Sequence, residues 1–545
     1  MQLGTIGKGI ALAAAATLTL AACSSTSDPE ASTTSATGGG TTDGTAIVRA
    51  NGSEPQNPLV PGNTNETGGG NIIDSIFAGL VYYDATGAAF NDVASDIVVD
   101  DPQNLTVTLA DGWMFTDGTP VTSSSFVDAW NYTADTGNAQ NGQYFFEDID
   151  GFSWDESVPA MSGLQVVDDT TFTITLNKPA ADFAQRLGYS AFYPLPQAFF
   201  DNPDTFGETP IGNGPYMLSG PDAWQHDVQI DLVTNPDYMG ARAPKNDGLT
   251  FVFYASQDAA YADLQANNVD VIAGIPDSSL ATYQDELGDR AVNQPAAIFQ
   301  SFTIPERLAH FSGEEGQLRR QALSMAINRP EITDVIFEGT RTPASDFTSP
   351  VVDGWSDSLE GADVLTYNPD MAAELWAQAD AISPWEGTFK LGYNADGGHQ
   401  AWVDATINSI KNTLGIDAEG KPYATFKELR TEVSDQIIDS AFRTGWQADY
   451  PGLYNFLGPL YATGAASNDG RYSSVEFDAL LAEGISTGDN AERNTILQSA
   501  QEVLLQDLPA IPLWYSNVNG GYSEGVSNVQ FGWNSVPLFY EITKN

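Results

Sequence analysis

Leu105-Thr106-Val107-Thr108-Leu109-Ala110-Asp111-Gly112-Trp113-Met114-Phe115-Thr116-Asp117-Gly118-Thr119-Pro120-Val121-Thr122 starts as a strand and ends as a turn. Its first five residues alternate apolar and hydroxyl side chains, the period of a strand with one buried face. Gly, Asp and Pro then punctuate the rest, and these residues break regular structure. Outward from this stretch, further β-type runs recur at 171–176, 228–233 and 249–254, bounded again by Gly, Pro, Asp and Asn. Helical periodicity marks 258–267, 317–327, 369–380, 401–414, 475–484 and 491–507. Strands and helices alternate, which favours α/β lobes over a sandwich or a helical bundle. No repeat of fixed period is found, and the Gly/Pro-rich stretches 209–215 and 343–350 read as loops or boundaries.

Composition narrows the class. With 42% hydrophobic and 11% aromatic residues in 545, the chain has material for a large core and more than one domain. The 21 basic residues face 72 acidic ones, a net charge of −51, which repels phosphate backbones and excludes nucleic acid as a partner. The acids are scattered, so most form a solvated surface.

The single cysteine, Cys23, closes Leu20-Ala21-Ala22-Cys23 at the end of a short apolar run that follows Lys8. This order is that of a secretory signal, and the run is too short to cross a bilayer, which takes about 20 apolar residues. The pattern resembles the bacterial lipobox, whose cysteine is acylated and becomes the new N-terminus. The resemblance implies a signal peptide over 1–22 and a lipid on Cys23, followed by a flexible Ser/Thr/Gly tether to residue 45. An ordinary signal peptide with an incidental cysteine is the alternative. The expectation is a soluble body anchored by lipid at the extracytoplasmic face of the cell membrane.

Gly484-Ile485-Ser486-Thr487-Gly488 spells G-x-S-x-G, but it follows an amphipathic helix, whereas a nucleophile elbow leaves a strand and opens a helix. A helix C-terminus with a glycine cap accounts for it. Three histidines, His226, His310 and His399, form no zinc-ligand spacing, and no phosphate loop or dinucleotide fingerprint occurs. The expectation is a binding protein that is not an enzyme and needs no cofactor.

A series of segments carries a family resemblance. Asn51-Gly52-Ser53-Glu54-Pro55-Gln56, Ile76-Phe77-Ala78-Gly79-Leu80, the 105–122 stretch, Pro210-Ile211-Gly212-Asn213-Gly214-Pro215-Tyr216, Asn235-Pro236-Asp237-Tyr238 and the helix at 319–327 stand in the order seen in the large peptide-binding proteins of ABC importers. The chain resembles this group, solute-binding family 5, over nearly its whole mature length. The resemblance implies a two-lobed α/β fold of the periplasmic-binding-protein type II class with an extra inserted subdomain and a hinge-closing cleft. Lobe I would hold 46–83, 209–303 and 510–545, the inserted subdomain 84–208, and lobe II 304–509.

It also implies site residues. In Arg443-Thr444-Gly445-Trp446-Gln447-Ala448-Asp449-Tyr450 the matching aspartate, Asp449, would pair with the ligand's α-ammonium and Arg443 would face its carboxylate. His399, after Tyr393-Asn394, would also approach that carboxylate. Trp446 offers an apolar wall, Thr67 is the first-lobe contact, beside Gly68-Gly69-Gly70, where the family presents a strand edge, and Tyr144 is a contact from a loop of the inserted subdomain. Lys427 stands where the family often has a pocket tryptophan. The chemistry fits a carrier of many peptides, because opposite fixed charges in a cleft select free termini while side chains stay unspecified. Each residue also has a plain structural reading: Asp449 as a turn residue, Arg443 in an ion pair, His399 in a loop, Trp446 in the core. The expected partners are an oligopeptide and a membrane permease with ATPase subunits, the protein acting as a monomer. Rival ligands are metal complexes, haem and oligosaccharides; a lipid-anchored hydrolase is the rival activity.

Overall fold

The computed structural model describes residues 46–465 and 467–545. The expected signal peptide, Cys23 and tether lie outside the described residues. Among the described residues no helix is long and apolar enough to cross a membrane.

One mixed sheet runs through the protein. Ten of its strands lie side by side: β1 (Ile47–Gly52), β2 (Tyr216–Leu218), β3 (Gln229–Thr234), β4 (Gly248–Phe253), β5 (Val271–Ile272), β6 (Ala291–Thr303), β7 (Phe389–Asn394), β8 (Ala418–Tyr423), β9 (Ala441–Gln447) and β10 (Ala510–Tyr522). Their spatial order is β8-β7-β9-β6-β10-β5-β1-β4-β3-β2. The sheet changes owner along its width. β1 to β4 bury Val48, Ile230, Leu249 and Phe251 in one core, whereas Leu391 and Ala441 lie in a second core with Phe302, Phe389, Trp402 and Phe456, and Phe442 packs in a small cluster beside it with Tyr423, Leu429, Val433 and Ile438. This is the expected two-lobed α/β architecture.

β6 and β10 cross between the lobes as an antiparallel ribbon. Residues 291–295 pair with 517–521, and 299–303 pair with 510–515, with register breaks between Pro295 and Phe299 and between Gln300 and Ser301. The expected boundaries put both strands in lobe I. Their residues pack on both cores: Phe299, Phe302, Ile511 and Trp514 in the second, Val518 in the first. The segment between these strands leaves and returns at one point, where Ile304 N–H donates to Pro509 O at 3.3 Å.

The inserted segment has its own antiparallel sheet, in the order Ala94–Asp101, Asn104–Leu109, Thr171–Thr175, Leu164–Asp168. Leu105, Val107 and Leu109 are buried, as their alternation requires, and they join the first core with Phe126, Trp130 and Phe172. The turn that follows is held by Asp117, whose carboxylate accepts from Thr119 N at 2.9 Å and Thr119 Oγ1 at 2.6 Å. Gly118 takes φ +82°, a region costly for other residues. Thr122 then caps the helix Ser123–Ala134, with Ser125 Oγ accepting from its N–H at 3.1 Å.

The Gly68-Gly69-Gly70 run is not a strand edge. It opens the helix Thr67–Ile76, whose first turn is capped by Glu66 through Gly69 N at 2.8 Å. A Cβ on Gly68 would stand 2.3 Å from Ser53 Oγ and one on Gly69 2.4 Å from Glu66 Oε1, so close packing demands these glycines.

Candidate functional site

β9 is the strand on which the site is built. It pairs with β6 along its length but with β7 only at Ala441 and Phe442. Ala448 N–H donates to Ala297 O at 2.9 Å, and by antiparallel alternation Trp446 and Thr444 also turn their backbone groups toward β6. Gly445 and Gln447 therefore direct N–H and C=O the other way. Both residues are exposed, and no strand among the described residues pairs with this edge. An open edge beside a cleft is a ready template for an extended chain.

Just past the end of β9 stands Asp449. The helix Leu453–Tyr461 carries Asn455 in its first turn, where a buried amide reaches back over the loop. Asn455 Oδ1 accepts from Asp449 N at 2.9 Å and from Trp446 Nε1 at 3.0 Å, while Asn455 Nδ2 donates to Asp449 Oδ2 at 3.0 Å. One side chain thus fixes both Trp446 and Asp449. Burial pushes the Asp449 carboxyl up to about 6, only partly offset by the bond from Asn455. The residue keeps some exposure to the cleft although protein surrounds its carboxylate. Among the described residues no cation forms an ion pair with it.

Asp449 lines a cavity of about 340 Å³ together with Thr67, Asp74, Tyr83, Tyr189 and Tyr193. The structure therefore brings Thr67 and Asp449 together from opposite lobes. Tyr144 also approaches: burial first, then the Asp449 charge, raises its phenol well above the usual range. Its ring continues a chain through Phe145 to Tyr189, with centroids 4.2 Å apart at each step.

Arg443 and Trp446 line a second cavity, of about 200 Å³. Arg443 Nε donates to Asn394 Oδ1 at 2.8 Å, and its guanidinium lies 4.7 Å from the ring centre of Phe426. Lys427 is exposed, and its neighbour Phe426 supplies the aromatic wall instead. His399 lines neither of these cavities. It precedes the helix Gln400–Leu414, and its Nδ1 accepts from Trp402 Nε1 at 3.1 Å. Ser486 closes the helix Val475–Ser486 by donating to Ala482 O at 2.6 Å. The capping residue there is Thr487 in extended conformation, not the expected glycine.

Sequence reading missed Asp74, Tyr83, Tyr189, Tyr193 and Asn455. A polar Asn inside Leu453-Tyr454-Asn455-Phe456-Leu457 is a visible anomaly, but its partners lie on another element. The tyrosines gave no local signal.

The inserted segment clasps the loop after Asp449. Tyr450 hydroxyl donates to Asp182 at 3.1 Å, Gln185 Nε2 to Pro451 O at 2.8 Å, and the Arg186 guanidinium lies 5.5 Å from the ring centre of Tyr450.

Residues 91–468 match the bacterial extracellular solute-binding proteins, family 5 Middle. The chain belongs to solute-binding family 5. This member is 24% identical to the oligopeptide-binding protein OppA of Bacillus subtilis over 506 residues, 87% of this chain and 89% of that one. The fold is that of the unliganded open form of the murein tripeptide-binding protein MppA, with TM-score 0.79 and 22% identity over 92% of this family 5 chain and 99% of MppA. Haemophilus influenzae OppA in complex with the peptide RPPGFSPFR matches with TM-score 0.70 and 20% identity, covering 92% of this chain and 99% of that one.

Proposed function

We propose that this family 5 protein captures oligopeptides in the cleft between its lobes and delivers them to an ABC permease driven by ATPase subunits. The observation that carries the reading is the pairing of an open β9 edge with an acid beyond its end. The edge offers hydrogen bonds to any main chain, and Asp449 offers a charge to any free α-ammonium. Neither depends on side-chain identity. Arg443 lies six residues before Asp449, roughly 20 Å along an extended strand. At about 3.3–3.6 Å per residue that is some five or six residues of extended ligand, fewer once the reach of the two side chains is subtracted. The names of the Bacillus and Haemophilus relatives point to the same ligand class.

His399, on the loop after β7, shares that strand's C-terminal end with Asn394, the partner of Arg443, and in this reading approaches the ligand's carboxyl end as the lobes close. The hinge is the β6–β10 ribbon. The lipid anchor on Cys23 belongs to the same proposal: Cys23→Ala is expected to release the protein from membranes on cell fractionation, and retention without another anchor counts against it.

The decisive experiment is a four-corner calorimetric titration. A free peptide and its N-acetylated form are titrated against the unaltered protein and Asp449→Asn. The acetylated peptide is expected to bind the unaltered protein poorly and to lose that handicap against the variant. A coupling term of zero removes the assignment.

A further inference from the structure

The cavity that holds Asp449 contains a second carboxylate, from the other lobe. Asp74 projects from the helix Thr67–Ile76, and its Oδ1 accepts from Tyr193 hydroxyl at 3.1 Å. Its Oδ2 accepts no hydrogen bond among the described residues, and the residue lines the cavity. The neighbouring cation, Arg242, is committed elsewhere. Its Nη1 donates to the Asp74 main-chain carbonyl at 2.8 Å, and its Nη2 to Phe77 O at 3.1 Å and to Asp92 Oδ2 at 3.4 Å. One guanidinium thus stands against two lobe I carboxylates and meets the side chain of Asp92, not that of Asp74. The other acids on the wall, Glu66 and Asp84, accept hydrogen bonds within their own turns.

Between Asp74 and Asp449 lie tyrosines. Burial, then the charges of Asp74 and Asp449, raises the phenols of both Tyr83 and Tyr189, so the two carboxylates bear on the same pair of rings from opposite lobes. Burial also raises Asp74 itself, opposed by Arg242 and the Tyr193 bond. Carboxylates short of partners in a cavity partly walled by aromatic faces favour a cation, through charge and through the ring quadrupoles. The volume of about 340 Å³ is at the small end for ligand sites and suits one residue rather than a whole peptide.

We infer that this cavity selects peptides whose first residue bears a cationic side chain, lysine or arginine, received by Asp74 while Asp449 holds the α-ammonium. The inference rests on the peptide reading above and adds a specificity to it. Asp74 is the specificity-determining residue. Tyr193 orients its carboxylate, and Tyr83 and Tyr189 flank the aliphatic stem.

The test uses the full chain and two tripeptides, Lys-Ala-Ala and its uncharged near-isostere norleucine-Ala-Ala, titrated calorimetrically against the unaltered protein and Asp74→Asn. The unaltered protein is expected to prefer the lysine peptide by about tenfold or more, the scale of one charged hydrogen bond. Asp74→Asn retains an acceptor for Tyr193. It is expected to bring the two peptides within about threefold of each other while leaving the norleucine affinity in place, less than 1 kcal/mol of residual preference. Equal binding of both peptides by the unaltered protein overturns the inference with no variant needed, and so does a preference that survives Asp74→Asn. In either case the peptide reading stands. If neither tripeptide nor a mixed peptide pool binds, the peptide reading itself has failed and this inference falls with it.

Discussion

Asp449 and Asp346 are two carboxylates that burial has pushed to the same place, each up to about 6. Their surroundings differ. Asp346 is fully buried and accepts from Tyr515 hydroxyl at 2.6 Å, Thr348 N at 2.9 Å and Thr348 Oγ1 at 2.5 Å, while its own N–H donates to the same tyrosine. Asp449 accepts one side-chain bond, from Asn455, and opens to a cavity. The chain has closed one acid with its own donors and left the other short. A raised pKa alone does not distinguish a structural carboxylate from a binding one; the count of internal donors does.

Breaking each acid should give opposite phenotypes. Asp449→Ala leaves a buried ligand ammonium unpaired, a loss of about 2–5 kcal/mol, or roughly 30-fold to several thousand-fold in peptide affinity by calorimetry. Its denaturant midpoint should not fall, because an acid held above its ordinary range costs stability near neutral pH. Asp346→Ala strands the Tyr515 and Thr348 donors and should lower stability by about 2–4 kcal/mol in a denaturant titration, with affinity unchanged in the protein that remains folded. Equal loss of stability in both variants would collapse the distinction.

Asn455 sharpens it. Asn455→Ala removes the bond to the Asp449 carboxylate and orphans Trp446 Nε1, and is expected to weaken peptide binding by about tenfold to a hundredfold, from roughly 1–3 kcal/mol of lost and unsatisfied hydrogen bonds. Full affinity in this variant would show that Asp449 needs no orienting partner.

The smallest effect is a pH dependence. Both carboxyls sit above their ordinary 3.8 in the folded, ligand-free protein, so each contributes stability that is full below about 3.8 and is lost as pH rises through about 6. A bound ammonium reverses this for Asp449 alone, favouring its charged form. Peptide affinity should therefore fall as pH drops from 7 to 5, by about tenfold for a group that titrates near 6. Asp449→Asn should flatten that profile and Asp346→Asn should not. A profile unaffected by either change would remove Asp449 from the linkage.

Much of the fold was legible because its signals are local. The runs at 258–267, 369–380 and 401–414 became the helices Gln257–Gln265, Pro369–Ile382 and Gln400–Leu414, whose apolar spacing and caps lie within a few residues. β6 was not legible. Its Ala-Val-Asn-Gln-Pro-Ala-Ala start lacks strand character and pairs only because β10 is brought beside it. The glycines at 68–70 misled for a related reason: they were matched to a strand edge, yet they open a helix, and at Gly68 and Gly69 Ser53 and Glu66 fill the space a side chain would need. In the site, the Arg443 to Asp449 segment was readable as one contiguous motif. Asp74 and the three tyrosines come from parts of the chain far from it, and only folding sets them around the same space.

The adjacency of Ile304 and Pro509 makes the β6–β10 ribbon a hairpin whose turn is an entire lobe. Its ends already touch, so the insertion imposes little on the geometry of the ribbon. It weighs on assembly instead. The entropy of closing a loop grows only as the logarithm of its length, yet it must be met before the strands reward it. A ribbon closed through a folded lobe escapes most of that cost, because the lobe itself holds its two ends together. Order of synthesis and order of pairing are thereby linked: β6 is made before lobe II and β10 after it, so the ribbon is expected to pair only once the lobe between them has been made.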